Sequence, residues 1–103
     1  QEYLLCITLD WANRIINKRV ITIGLLNQSL VHPREVFVDA IVDRSNSIIL
    51  VHNHPSWIIT PSHEDKVITD RIKQVSEIVL IKLLDHIIIT QDDYFSFKEN
   101  FLL

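Results

Sequence analysis

Ile48-Ile49-Leu50-Val51-His52-Asn53-His54-Pro55, followed by Pro61-Ser62-His63-Glu64-Asp65, is the stretch that decides how this chain is built. An unbroken apolar run rich in β-branched residues predicts a strand buried on both faces, inside a helix-covered sheet. Pro55 stops it. Alternate residues of a strand point to the same side, so His52 and His54 can reach one point in space. Ser62 then opens a long helix, and Asp65 falls in its first turn. Two imidazoles and a carboxylate are a common ligand set for a catalytic zinc, with the fourth position left to water.

A plainer explanation covers part of the same stretch. Ser62-x-x-Asp65 resembles a capping box, with Asp where Glu or Gln is usual, and Pro61 before the cap suits a helix start. On that reading Asp65 satisfies backbone N–H groups and the helix dipole, and no metal is needed. Caps are far commoner than metal sites. The weight on the other side is coincidence: two same-facing histidines and a helix-entry carboxylate are joined by one strand–loop–helix connection.

The remainder of the chain supplies a sheet around that strand. Glu2 to Asp10 reads as a strand, Trp11-Ala12-Asn13 as a turn, and Arg14 to Leu26 as the second arm of an antiparallel hairpin. Arg14, Lys18 and Arg19 form a solvated strand face, and Cys6 packs as a small apolar residue. Gly24 marks the strand end, and Asn27-Gln28-Ser29 a loop. Pro33 opens a helix to about Arg44, with Val36, Phe37, Ala40 and Ile41 inward and Asp39, Asp43 and Arg44 outward. Glu35 lies in its first turn, where a carboxylate suits the helix dipole. Ser62 to Val79 is the longest helix, with Ile68, Ile72, Val75 and Val79 on its apolar face. Lys82 to Thr90 and Tyr94 to Phe97 are strands around a turn at Gln91-Asp92-Asp93, and the tail forms a last helical turn. The class is α/β: a mixed sheet with helices packed on it.

Length and composition close off several functions. With 103 residues, 48% hydrophobic and 22% charged, the chain is one globular domain over 1–103 rather than a disordered segment. Its apolar runs are too short to span a bilayer, so no membrane role is expected. A net charge of −3 gives no global electrostatic case for a nucleic-acid partner. One cysteine cannot form an internal disulfide, which fits a reducing, cytoplasmic location. Gln1 without a preceding Met suggests that the natural start lies upstream.

His52-Asn53-His54-Pro55-Ser56, with Ser62 and Asp65 at the following spacing, resembles the H-x-H-x7-S-x-x-D pattern of JAMM/MPN metalloproteases. More specifically the chain is similar to the bacterial RadC family. His32-Pro33-Arg34-Glu35-Val36-Phe37, Ile48 to Ser56, Pro61-Ser62 with Asp65, and Leu83-Leu84-Asp85-His86 carry that resemblance in order along nearly the whole chain. It implies a JAMM/MPN, cytidine-deaminase-like fold, a zinc held by His52, His54 and Asp65, and hydrolase chemistry on a peptide or isopeptide bond. It also implies that Glu35 is the general base, and that the chain is the C-terminal domain of a longer protein. Two positions depart from the pattern. Trp57 stands where the family usually has Gly, with the apolar Ile58-Ile59 after it, and Leu80 stands where a Gly often precedes the Leu-Leu-Asp-His block.

The chemistry follows from the ligand set. Zinc on two neutral imidazoles and one carboxylate keeps an open position and acidifies a water there. Glu35 would take the proton and pass it to the leaving nitrogen, and the Ser62 hydroxyl is the natural donor to the developing oxyanion. The same hydroxyl is the helix cap, and it could not serve both roles equally well. An H-E-x-x-H helix is excluded because Val67 stands where the second His is needed, and a nucleobase deaminase because P-C-x-x-C is absent. Two alternatives to a peptidase remain: an inactive metal-binding interaction module, and an accessory domain in DNA repair, the role with which family members have been labelled. The Trp57 loop is expected to form a contact surface, for a peptide substrate or for a homo-oligomer. His86 is either a group supporting the site or a structural histidine at a strand end.

Overall fold

The computed structural model describes residues 1–24 and 31–103. Along them run β1 (Tyr3–Leu9), β2 (Ile15–Ile23), α1 (Pro33–Val42), β3 (Ser47–Asn53), α2 (His63–Val79), β4 (Lys82–Ile89) and β5 (Tyr94–Ser96). The strands form a mixed sheet in the order β2-β1-β3-β4-β5. β1 and β2 pair as the antiparallel hairpin the alternating sequence predicts, and β1 also pairs antiparallel with β3. β3 and β4 are parallel, which a tight turn cannot achieve, so α2 makes the crossover. The predicted loop at Asn27-Gln28-Ser29, and the end of the predicted strand at Leu25 and Leu26, lie outside the described residues.

The core sits between the helices and one face of the sheet. Leu4 and Cys6 of β1, Ile48 and Leu50 of β3 and Leu83 of β4 meet Val36, Phe37 and Ala40 of α1 and Ile68 and Ile72 of α2. Each buried aliphatic side chain contributes roughly 1.5–3 kcal/mol through removal from water. Burial pushes the Cys6 thiol up to about 12, so it acts as a packing group. The opposite face differs from the sequence expectation. Leu5, Ile7, Ile49, Val51 and Ile87 are only half-buried, because both helices pack on the first face. The apolar run of β3 is therefore fully covered on one side alone.

Smaller departures have equally local causes. α1 ends at Val42, and Arg44 turns back in the left-handed conformation with φ 52°. Ile41 is exposed, since it lies about 90° round the helix from the centre of the Val36–Phe37–Ala40 stripe. Asp43 does not face outward. It accepts from Arg19 Nη2 at 2.6 Å and from Thr8 Oγ1 at 2.9 Å, tying α1 to the hairpin and taking Arg19 out of the solvated strand face. The Arg19 guanidinium holds the Asp43 carboxyl below the usual carboxylate range. Val79 is exposed at the end of α2, and the tail after β5 is a turn rather than a helix. No helix among the described residues is long and apolar enough to cross a membrane.

Candidate metal centre

Three pieces of backbone converge at the end of the central strand. His52, the last but one residue of β3, lies on the helix-covered face and is buried. His54 follows two residues later, and its backbone N–H donates to Ile89 O at 2.9 Å, carrying the β3–β4 alignment past the strand end. The two rings therefore share a side, edge to face, with centroids 4.9 Å apart. Asp65 is the third residue of α2, where the capping box holds it. Its backbone N–H donates to Ser62 Oγ at 3.1 Å, and its Oδ2 accepts from the Ser62 N–H at 2.7 Å. Glu2 arrives from the start of β1. Leu4 pairs with His52, so Glu2, two residues earlier, falls on the same face beside the rings.

The contacts among these four side chains demand positive charge. Asp65 Oδ1 lies 3.1 Å from His52 Nδ1, and Asp65 Oδ2 lies 3.0 Å from His54 Nε2. Glu2 Oε1 lies 3.2 Å from His52 Nε2. Both nitrogens of His52 thus face carboxylate oxygens, while a neutral imidazole has one N–H to give. His54 Nδ1 meets the Ile58 carbonyl at 2.9 Å, and a carbonyl only accepts, so Nδ1 carries the proton. Neutral His54 then turns a bare Nε2 lone pair towards Asp65 Oδ2. Two carboxylates with two neutral rings leave two negative charges, which a divalent cation or two imidazoliums would balance. His52 Nδ1 and Asp65 Oδ1 are buried and, though close, make no hydrogen bond. Buried polar atoms left so are costly, and a cation between them removes the cost. The ligand atoms of Glu2, His52 and His54 also lie within 4.8 Å of one another, close enough to share an ion. The residues fit a metal.

Burial alone would raise the Asp65 carboxyl, but the His52 ring and the Ser62 groups outweigh it. They hold the carboxyl well below the usual carboxylate range, so Asp65 is an anion at neutral pH. Glu2, His52, His54, Ser62 and Asp65 all line one open cavity of about 610 Å³.

A comparison with protein families matches residues 1–102 to the RadC-like JAB domain. The chain belongs to that family. A UPF0758 protein of Pelodictyon phaeoclathratiforme is 50% identical over 103 residues, covering all of this chain and 46% of its own length. A UPF0758 protein of Clostridium tetani is also 50% identical, with 45% of its length covered. UPF0758 protein CT0611 of Chlorobaculum tepidum is 46% identical, again with 46% covered. The chain thus spans about half the length of the curated relatives it matches. The mixed sheet with two helices agrees with the JAB/MPN-like architecture that the motif resemblance implies.

Within this JAB domain, the structure brings His52, His54, Ser62 and Asp65 together and leaves Glu35 apart. Glu35 stands in the first turn of α1 with its side chain 60% exposed and 4.0 Å from Arg34, and it does not line the cavity. It faces away because α1 presents Val36 and Phe37, its next two residues, to the core. The carboxylate that does reach the rings is Glu2, at His52, although in the sequence it is only the start of a strand.

Ser62 is the helix cap, but the two roles weighed for it are compatible. The cap uses an oxygen lone pair as acceptor, leaving the hydroxyl proton free to donate from an exposed position on the cavity wall. His86 is fully buried, stacked on Phe97 with centroids 4.7 Å apart. Its Nδ1 lies 2.6 Å from Thr69 Oγ1, and that hydroxyl also donates to the Asp65 carbonyl at 2.7 Å. Burial, then the charges of neighbouring groups led by His52, lowers the His86 ring to about 3, so it stays neutral.

Proposed function

We propose that this JAB domain is a zinc-dependent hydrolase that cleaves a peptide or isopeptide bond. The observation that carries the proposal is the cluster of two imidazoles and two carboxylates at the wall of an open cavity, with His52 Nδ1 and Asp65 Oδ1 buried and without a hydrogen bond. His52, His54 and Asp65 would hold the ion, with Asp65 Oδ1 as the carboxylate atom that lacks a hydrogen bond. When bound, zinc supplies Lewis acidity that activates a water and polarises a carbonyl.

The rest is the work of this chain's own groups. Glu2 Oε1 approaches His52 Nε2 to 3.2 Å from the cavity side, with its side chain 14% exposed. A carboxylate so placed can accept a proton from water and return it to a leaving nitrogen. It takes the role that the resemblance suggested for Glu35. The Ser62 O–H, oriented by the cap, would donate to oxygen as charge develops there, a contribution of roughly 3–4 kcal/mol in comparable sites. The Ile58 carbonyl fixes the His54 tautomer so that Nε2 presents a lone pair, the usual job of an outer hydrogen-bond partner.

The test is metal dependence of hydrolysis. Zinc-loaded protein should cleave members of an internally quenched peptide library, lose that activity on dialysis against a chelator, and regain it with added zinc. Zinc bound at one per chain with no cleavage of peptides or isopeptides would leave an inactive metal-binding module and end the hydrolase reading.

A further inference from the structure

The loop between β3 and α2 presents two apolar side chains for which the metal centre has no use. Trp57 is 69% exposed and Ile58 64% exposed, directly after Ser56 on the cavity wall. The Ile58 backbone is nonetheless held. The Ile58 carbonyl accepts from His54 Nδ1 at 2.9 Å, and the Ile58 N–H donates to Ser56 Oγ at 3.4 Å. A residue held through both its backbone polar groups, with its large side chain in water, loses little further freedom on binding. Exposed apolar groups beside a polar cleft mark contact sites.

We propose that Trp57 and Ile58 form the subsite that selects a large apolar side chain of the peptide substrate, next to the bond that is cut. This rests on the hydrolase reading and adds the substrate class to it. The position favours a substrate over a second copy of the chain. Trp57 is one residue from the cavity wall, so a folded protomer seated on it would crowd the cavity mouth, whereas an extended peptide continues from loop to metal centre. The charge of the wall narrows the class further. Glu2, Glu64 and Asp65 place three carboxylates there, one more than a divalent cation balances, so an acidic side chain beside the scissile bond is disfavoured.

Blocked hexapeptides Ala-Gly-X-Gly-Ala-Ala, with X as Phe, Leu, Ala or Asp, test this on zinc-loaded protein. The Phe and Leu peptides should exceed the Ala peptide in kcat/KM by about tenfold or more, with Asp the poorest. Trp57→Gly should bring the Phe-to-Ala ratio towards one while zinc content stays at the wild-type level. Ile58→Ser should do the same in part. In a Trp11→Phe background Trp57 is the one remaining indole. There its emission should shift to the blue when the Phe peptide is added to the zinc-loaded Glu2→Gln variant. Cleavage without preference for X, or a ratio unchanged by Trp57→Gly, overturns the subsite and leaves the hydrolase standing. A blue shift with no cleavage by the chain with Glu2 intact keeps the subsite and removes the hydrolase. Neither docking nor cleavage overturns both, and a dimer that Trp57→Gly dissolves overturns the subsite in favour of self-association.

Discussion

Both helices carry a carboxylate as their third residue, and only one of them meets the two histidines. Glu35 of α1 is exposed, while Asp65 of α2 is buried against His52 and His54. The helix dipole favours both positions equally. What differs is the preceding residue and the neighbouring strand. Ser62 caps α2 and closes a capping box, whereas His32 makes no side-chain cap on α1. The α2 start also abuts the end of β3, where the histidines emerge, and α1 turns its third residue to solvent. A carboxylate at a helix entry becomes functional through what it is folded against.

The largest expected effect tests which glutamate acts. Glu2→Gln should lower turnover by about 10²–10⁴-fold with zinc retained, and Glu35→Gln should leave it within about twofold. The reverse pattern would return the base to α1.

The acid response should separate the buried site from the exposed helix. His86 titrates at about 3 in the folded chain against an ordinary 6.5. Below pH 6.5 the unfolded chain takes a proton that the folded chain refuses. The stability due to the neutral buried ring is therefore whole above about pH 6.5 and is lost as pH falls towards 3, on the order of 2 kcal/mol by pH 5. Urea unfolding of chelator-treated wild type and His86→Gln should show that difference in slope. Parallel curves would mean the ring is not held neutral.

Smaller effects belong to the helix ends. Ser62→Ala should cost about 1 kcal/mol of stability, and His32→Ala a few tenths, because only the first removes a cap. At the other end of α2, Leu80 adopts a left-handed conformation with φ 60° and is 83% exposed. Leu80→Gly should therefore stabilise by up to about 1 kcal/mol, read from the same unfolding curves. Equal losses at the two caps, or destabilisation by Leu80→Gly, would break this account of the ends.

How much of this was legible follows from sequence distance. His52, His54 and Asp65 lie on one short strand–loop–helix connection, so alternation along a strand and the capping pattern bring them together on paper. Glu2 reaches the rings across fifty positions through the pairing of Leu4 with His52, and nothing near it marks it as special. Knowing that β1 and not β2 lies next to β3 would have exposed it. The same blindness to neighbours sent Asp43 outward, although Arg19 lies beside it on β2. The apolar run of β3 correctly announced a central strand, but the run could not tell that both helices choose one face.

The central claim is that Asp65, with His52 and His54, is a metal ligand and not only a cap. Asp65→Asn keeps an oxygen that can accept from the Ser62 N–H, so the fold should persist while the ligand charge is lost. Zinc competition against a fluorescent chelator should give one site per chain in the wild type. In Asp65→Asn the affinity should fall by more than the ~10–100-fold that loss of an outer hydrogen-bond partner causes. Equal zinc affinity in the two proteins would reduce Asp65 to a helix cap and contradict the account.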